Sequence, residues 1–173
     1  MRDGRSYLTG PLARFAQNFD QLPAPLQTLS LALGLQPPVR NPFRSLLVRG
    51  IELLFALGEA ARLARSIALP RAPAVPVVMR AGTGHGATEA PRGLLYHRYT
   101  LDAQGLIEAA TIVPPTSQNQ LCIEDDLRAL GPELLRMDDA AATARAEQAI
   151  RNYDPCISCA THFLKLRKEP WSG

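Results

Sequence analysis

The sequence predicts an α+β fold that is mainly helical, with a small antiparallel β-hairpin in the middle of the chain. Apolar residues recur at helical spacing on both sides of a central segment, and that segment, 94–113, is rich in branched and aromatic residues. Strand and helix patterns do not alternate as they do in βαβ units, which argues against a parallel sheet. With 173 residues and 46% hydrophobic content, we expect one compact domain with its own core.

The first third of the chain is predicted to be helical. Two short helical pieces, Tyr7–Phe19 and Leu26–Leu35, are separated by two prolines. A longer helix is predicted from Asn41 to about Ile67, because an asparagine cap followed by proline at the first helical position is a typical helix start.

This long helix is unusually apolar. One predicted stripe consists of Leu47, Ile51, Leu54 and Ala61. Other apolar side chains widen that surface, so we expect the helix to be packed on several sides. Charged residues interrupt the apolar run, each of them costly at the centre of a bilayer, and a membrane span is therefore not expected.

The predicted hairpin joins Leu94–Leu101 to Leu106–Val113 through the turn Asp102–Gly105. A helix is predicted from about Asn119 to Leu130, with Gly131 just past its end. The last predicted helix is rich in alanine and runs from about Asp139 to Asn152, stopping before Asp154 and Pro155.

Charge and the amino-terminal residues narrow the class of partner. The formal net charge is +3, and both signs are interspersed without a basic block, so a nucleic-acid partner is not expected. No apolar segment follows the charged residues at the amino terminus, so no signal peptide is predicted and we expect a cytoplasmic protein without a membrane partner.

Metal chemistry is indicated by Cys156, Cys159 and His162, which recur at steps of three. In a helix or in tight turns this spacing brings two thiolates and an imidazole to nearly one side. Nickel, iron, zinc and copper all accept such ligands, so the metal stays open at this point. A structural zinc site would need further ligands from Cys122, His85 or His97, and a redox dithiol would need a βαβ setting that is missing. We expect Cys122 to be a buried small apolar residue.

A second segment with possible chemistry combines glycines with an arginine. Gly82, Gly84 and Gly86 precede Arg92, which follows a rigid proline. The run opens a strand and lacks the Gly-Lys-Ser/Thr ending of a phosphate loop, so nucleotide binding is a weak hypothesis. The glycines permit close backbone approach, and the guanidinium suits an anionic or polar ligand, although a surface salt bridge is the ordinary role of one arginine. By itself, 113–119 predicts only a strand end, a stiff turn and a helix cap.

Five motifs nevertheless occur together and in order between Tyr7 and His162. They are Tyr7-Leu8-x-Gly10-Pro11-Leu12-Ala13-Arg14-Phe15, Asn41-Pro42-Phe43-Arg44-Ser45, Gly86-Ala87-Thr88-Glu89-Ala90-Pro91-Arg92-Gly93, Pro114-Pro115-Thr116-Ser117-Gln118-Asn119, and Arg151-Asn152-Tyr153-Asp154-Pro155-Cys156-Ile157-Ser158-Cys159-Ala160-Thr161-His162. The combination resembles the large subunit of nickel-iron hydrogenases, particularly the soluble, multi-subunit kind linked to NAD(P). That resemblance favours nickel and iron over zinc.

The resemblance implies metal ligands. Cys156 would be a terminal nickel ligand, and Cys159 would bridge nickel to an iron that also carries carbon monoxide and cyanide. Asp154 would lie beside this cluster, and His162 would bind magnesium.

It also implies a pocket for the diatomic ligands. Ala90, Pro91 and Arg92 would surround them, with Arg92 near the open bridging position. Thr116, together with Ser117, would form a hydrogen bond to a cyanide. The implied activity is the reversible oxidation of H2, in which a metal holds hydride and a nearby base takes the proton.

The sequence departs from the family pattern in its cysteines and its tail. The first cysteine pair of the family, Arg-x-Cys-Gly-x-Cys, is not found, so we expect a fragment, a split subunit or a decayed copy that needs the amino-terminal half of a large subunit. Residues 1–162 would form the carboxy-terminal portion of that subunit. Residues 163–173 would be an extension that a maturation endopeptidase removes.

The expected partners follow from the same resemblance. They are a small iron-sulfur subunit that accepts electrons, and NAD(P)-reducing subunits. The alternative is a non-catalytic module that still binds a hydrogenase small subunit. The related large subunit of respiratory complex I lacks the nickel ligands, so Cys156 and Cys159 argue against it.

Overall fold

The computed structural model describes residues 6–68, 72–74, 76–155 and 166. In these ranges helices flank a three-stranded sheet, which confirms the predicted α+β class. The elements are α1 (Pro11–Asn18), a 3-10 turn (Phe19–Gln21), α2 (Ala24–Ala32), a second 3-10 turn (Pro42–Arg44), α3 (Ser45–Ser66), β1 (Gly82–Ala90), β2 (Gly93–Leu101), β3 (Ile107–Val113), α4 (Pro115–Leu134) and α5 (Asp139–Arg151). No helix in the described ranges is both long and apolar enough to cross a membrane.

The main core lies between α1, α2 and the start of α3. Its buried members come from α1, from α3 and from the loop after α2, and they are Leu12, Phe15, Leu35, Val48 and Ile51. Pro11 stands in the first turn of α1, where its missing N–H leaves no hydrogen bond unmade. This core therefore brings the beginning of the chain against the long helix.

The predicted cap at Asn41 is confirmed, but it caps the 3-10 turn Pro42–Arg44, and α3 itself begins only at Ser45; its predicted buried stripe is partly wrong. The side chain of Asn41 accepts a hydrogen bond from the backbone N–H of Phe43 at 2.9 Å, as a helix cap does. Ile51 is buried, whereas Leu47 and Leu54 are 43% and 49% exposed. Leu54 lies beyond the first two turns, where α1 and α2 pack, and Leu47 lies in the first turn at the edge of the face that buries Ser45, Val48 and Ile51. The described residues leave the rest of this apolar surface uncovered, rather than packed on several sides.

The three strands form one antiparallel sheet in the order β1-β2-β3. The predicted hairpin is confirmed as β2–β3. Its turn is held by the carboxylate of Asp102, which accepts hydrogen bonds from the backbone N–H groups of Gln104 at 2.9 Å and Leu106 at 2.8 Å. Strand β1 was not predicted, because its glycines give no branched or aromatic signal. It forms by pairing along its whole length with β2.

The last two helices pack on each other through a second core, made by Leu134, Ala142 and Ala146. The predicted bounds of α4 are wrong at both ends, since it begins at Pro115 and continues past Gly131 and Pro132 to Leu134. Packing of Leu134 against α5 stabilises this last turn despite the two helix-breaking residues. Helix α5 ends at Arg151, one residue before the predicted end.

Candidate active site

The turn between β1 and β2 is the first component of the site. Ala90 pairs with Gly93 across the two strands, so Pro91 and Arg92 stand at the tip. A Cβ on Gly10 would lie 2.4 Å from the carbonyl oxygen of Arg92, and one on Gly93 would lie 2.5 Å from Oγ1 of Thr9. Only glycine permits this crossing of two backbones, which places the start of the chain directly against the turn.

An acidic side chain from the far end of the chain meets this turn. Oδ2 of Asp154 lies 3.1 Å from Nε of Arg92 and 3.6 Å from Nη1 of Arg49. Asp154 follows α5 with a φ of 47°, a left-handed conformation that aspartate adopts more readily than most residues. The structure thus brings together the two predicted catalytic residues, with a second arginine that was not predicted for the site.

Three buried N–H donors surround the same place. Nε of Arg49, Nε of Arg92 and Nδ2 of Asn152 are buried and have no hydrogen-bond partner among the described residues. Arg92 and Asp154 thus form an ion pair, but the Nε–H bond of Arg92 does not point at the carboxylate oxygen as a hydrogen bond requires. All three donors belong to residues that line a cavity of about 20 Å³, which is enough for about one water molecule. The residues present here suit a small hydrogen-bond acceptor.

A larger open cleft lies on the other side of the turn. It has a volume of about 570 Å³ and is lined by Ala90, Pro91 and Asp154 together with apolar side chains of α1 and α3, among them Phe15 and Phe55. Two of the three residues predicted to surround the diatomic ligands, Ala90 and Pro91, therefore share a wall with Asp154. A cleft with mostly apolar walls and a few charged groups is the usual form of a small-molecule site.

Arg14 reaches this turn from α1. Its Nε and Nη2 donate to the two oxygens of Glu52 at 2.7 and 2.9 Å. Its Nη1 donates to Oε1 of Glu89 at 2.5 Å and to the carbonyl oxygen of Ala90 at 2.9 Å, and Nη2 also donates to the carbonyl oxygen of Pro91 at 2.7 Å. The hydrogen-bonded Glu52 is the main cause that raises the pKa of the Arg14 guanidinium above its ordinary value.

Thr116 and Ser117 lie in the first turn of α4, and neither lines the cavity or the cleft. Oγ of Ser117 donates to the carbonyl oxygen of Pro114 at 2.9 Å. Nearby Asn119 does contact the site region. Its side chain is 3% exposed, accepts from the backbone N–H of Thr9 at 2.8 Å and donates to the Thr9 carbonyl oxygen at 3.1 Å.

The predicted metal ligands Cys156, Cys159 and His162 lie outside the described residues. The residue before them, Pro155, is fully buried, and Asp154 pairs with Arg92 in the site. The two residues that lead into the metal motif therefore lie beside the cleft.

The described histidines and Cys122 do not support the zinc alternative. His97 stands opposite Gly86, the neighbour of His85 in β1, so the two imidazoles emerge on opposite faces of the sheet. Each contacts a tyrosine hydroxyl, at 2.9 Å for His85 and 3.0 Å for His97. Sγ of Cys122 instead donates to the carbonyl oxygen of Tyr7 at 3.1 Å, and burial raises the pKa of this thiol. Cys122 is half-buried, short of the full burial predicted.

Sequence reasoning missed the roles of Arg14, Arg49 and Glu52. The last two entered the sequence analysis only among the charged residues that interrupt the apolar run of the long helix. A usable signal was present, because Arg49 and Glu52 each directly follow a buried residue, Val48 or Ile51, in an otherwise apolar helix. Charges that border the buried face of a helix must find partners in the fold.

Comparisons with known proteins find similar chains. The family model for the nickel-dependent hydrogenases matches residues 65–162. The alpha chain of sulfhydrogenase 1 from Pyrococcus furiosus is 31% identical over 166 residues, which cover 94% of this chain and 38% of that protein. An F420-non-reducing hydrogenase from Methanothermobacter marburgensis is 44% identical over 89 residues, which cover 49% of this chain and 19% of the matched protein.

A solved structure has the same fold over nearly the whole chain. The crystal structure of an NAD+-reducing nickel-iron hydrogenase in the H2-reduced state matches with a TM-score of 0.76 and 25% identity, over 91% of this chain and 36% of that chain. The chain thus spans less than two fifths of the length of these relatives. Because the family model matches more than half of the chain and ends at the histidine of the Cys-x-x-Cys-x-x-His motif, the chain belongs to the family of nickel-dependent hydrogenases.

Proposed function

We propose that the chain is the carboxy-terminal part of the active-site subunit of a cytoplasmic nickel-iron hydrogenase, which oxidises H2 reversibly in linkage with NAD(P). The observation that carries the proposal is that Asp154 lines the cleft beside Ala90 and Pro91 and forms an ion pair with Arg92 at the tip of the same turn. Cys156 follows Asp154 by two residues, a step that covers at most about 7 Å. The first proposed nickel ligand is therefore tied covalently to the rim of this cleft.

The metal roles follow the motif. Cys156 and Cys159 would hold the nickel-iron centre, whose iron would carry carbon monoxide and cyanide, and His162 would bind magnesium. When bound, the nickel-iron centre supplies the Lewis acidity that polarises H2. Two thiolates do not complete such a site, so the remaining pair comes from the amino-terminal part of a large subunit. Residues 163–173 are the segment that the maturation endopeptidase removes.

The described residues have three tasks in this chemistry. Arg92 follows Pro91 of the cleft wall and carries a positive charge, which would stabilise negative charge that develops beside it. Oδ2 of Asp154 lies between Arg92 and Arg49, so this carboxylate keeps the Arg92 guanidinium in place. Ala90 and Pro91 wall the pocket of the diatomic ligands.

A cyanide contact is proposed for Thr116 with Ser117. To donate to a cyanide, Ser117 must give up its present hydrogen bond to the Pro114 carbonyl oxygen.

Metal analysis of the native complex tests the proposal. The chain is tagged at its amino terminus in its own host and purified with whatever binds it. Nickel and iron are measured by mass spectrometry, carbon monoxide and cyanide by infrared absorption, and H2 uptake by reduction of a viologen dye. We expect one nickel and one iron per chain, a small iron-sulfur subunit in the complex, and dye reduction.

The cysteines offer a matched set of variants. Cys156→Ser and Cys159→Ser should each lose nickel, whereas Cys122→Ser should keep it, because Cys122 on α4 contacts Tyr7 and does not line the cleft. Zinc at one per chain in place of nickel, or loss of metal in Cys122→Ser alone, would overturn the proposal.

A second candidate is a non-catalytic module that binds a hydrogenase small subunit. The uncovered apolar surface of α3 favours it, since large exposed patches of this kind mark protein interfaces. The same purification separates the two candidates. A complex that contains the small subunit but lacks nickel supports the module.

A further inference from the structure

All N–H donors of the Arg14 guanidinium are engaged in hydrogen bonds around the β1–β2 turn that carries Arg92. A guanidinium has five N–H donors, and the five hydrogen bonds of Arg14 match that number. They reach α3 through Glu52 and the end of β1 through Glu89, in addition to two successive backbone carbonyls. A side chain with every donor engaged across three segments holds those segments at fixed distances.

The two carbonyl contacts have the greatest consequence. The carbonyl oxygen of Pro91 belongs to the peptide unit that links Pro91 to Arg92, and it accepts from Nη2 of Arg14 at 2.7 Å. Peptide units are planar, so fixing this oxygen fixes the plane from which the Arg92 backbone departs. The preceding carbonyl, of Ala90, is held at 2.9 Å by Nη1 of the same guanidinium.

The amino-terminal segment that carries Arg14 also contacts the turn at a second place. The carbonyl oxygen of Arg92 lies against Gly10, four residues before Arg14, at a distance that admits no Cβ. Thr9 is in turn bound to the buried side chain of Asn119. Glu52 holds the guanidinium itself by a two-point contact, which sets its orientation and not only its charge.

We propose that Arg14 is a positioning residue that sets the placement of Arg92 and of the Ala90–Pro91 wall in the hydrogenase site. It acts through the carbonyl groups of the turn, and its own donors are not offered to substrate. This inference rests on the proposed function. Lysine in its place would keep the charge but lose the planar fork, so charge alone cannot replace it.

The first test uses the full chain without metal. Hydrogen–deuterium exchange is followed in a peptide covering 89–95 for the wild type, Arg14→Lys, Arg14→Gln and a control, Arg145→Gln. Arg145 also joins two helices, through Glu133 at 3.0 Å, and its guanidinium lies 4.2 Å from the centre of the Phe43 ring, away from the turn. We expect exchange in 89–95 to be about tenfold faster in both Arg14 variants and unchanged in the control.

The second test uses the purified metal-loaded complex. We expect the infrared bands of the iron-bound carbon monoxide and cyanide to shift or broaden in both Arg14 variants and to stay in place in Arg145→Gln. Turnover should fall by up to about a hundredfold, the loss expected when a reacting group is misplaced by about 1 Å.

The outcomes separate this inference from the proposed function. Unchanged bands in Arg14→Gln, in a complex whose wild type shows them, overturn the positioning role and leave the function intact. A wild-type complex without such bands overturns the proposed function. The exchange experiment then tests by itself whether Arg14 holds the turn in place. Equal exchange in 89–95 for Arg14→Gln and wild type overturns the inference in either case.

Discussion

Two parts of α3, its first half up to Glu52 and its second half from Leu53 onward, are both rich in apolar side chains and have very different surroundings. In the first half Ser45, Val48 and Ile51 are buried, and Arg49 and Glu52 form ion pairs with the site. In the second half the large apolar side chains stay exposed, with Leu53 at 60%, Leu57 at 60% and Leu63 at 47%. The difference teaches that apolar composition forms the helix, while the rest of the fold decides which part of it is covered.

The contrast also divides the chain by role. The first half of α3 packs against the site and is covered by the described residues, whereas the second half displays a surface of the kind that a partner covers. In the proposed function, that partner is the amino-terminal part of a large subunit. Variants placed in the two halves should therefore respond differently.

The largest effect is expected for Ile51→Ala compared with Leu57→Ala. Ile51 is 2% exposed, and its truncation leaves a cavity that should lower the unfolding free energy by about 2–5 kcal/mol. Leu57 is 60% exposed, so its truncation should change stability by no more than about 0.5 kcal/mol. Urea unfolding of both variants measures this. Equal losses would show that the halves are equally covered.

The next effect concerns Asn119, which connects α4 to the segment that packs against the first half of α3. Asn119→Ala leaves the buried N–H and carbonyl groups of Thr9 without these partners, so we expect a loss of about 1–3 kcal/mol. Gln120→Ala is the control, because Gln120 is exposed and its side chain donates to Glu124 on its own helix. Urea unfolding should leave the control near the wild type, and an equally stable Asn119→Ala would contradict the prediction.

A smaller effect should appear at high pH through Tyr153. This residue directly follows Asn152, whose carbonyl oxygen accepts a hydrogen bond from Oγ of Ser45 in α3. Burial, and then the hydrogen bond to Asp126, raise the pKa of this phenol above its ordinary value. The folded state therefore favours the protonated phenol. The stabilisation that results is complete below the unfolded-state pKa of about 10 and is lost as the pH rises above that value.

We expect the wild type to lose on the order of 1 kcal/mol per pH unit above pH 10 relative to Tyr153→Phe. Thermal unfolding from pH 8 to pH 11 measures the two slopes. Parallel slopes would show that the phenol titrates alike in the folded and unfolded chain.

The smallest effect on stability is expected for Leu54→Lys combined with Leu57→Lys in the exposed half. These side chains are 49% and 60% exposed, so the unfolding free energy should change by no more than about 0.5 kcal/mol. Self-association of the isolated chain should fall, and recovery of its large-subunit partner should fall with it. Light scattering and co-purification give the two readouts. Retained partner binding would place the interface elsewhere.

Local chemistry explains the parts of the fold that were predictable. The cap at Asn41 and the turn at Asp102 act within four residues, and both were found where the sequence placed them. Strand β1 and the last turn of α4 were missed because their own residues disfavour those structures and distant pairing overrides them. That Arg92 and Asp154 lie near one site was expected only through the family resemblance, and their ion pair was not predicted. The catalytic and ligand roles stay predictions.

By itself, the sequence determined the cap at Asn41, the hairpin and the motif pattern that marks the hydrogenase family. Only the tertiary structure decided which half of α3 is buried and that Arg14 binds the turn before Arg92. The physical reason is separation along the chain. Caps and turns depend on near neighbours, whereas Arg14 meets Glu52 across 38 residues and Thr9 meets Asn119 across 110. No local pattern specifies such partners, because packing of the whole core brings them together.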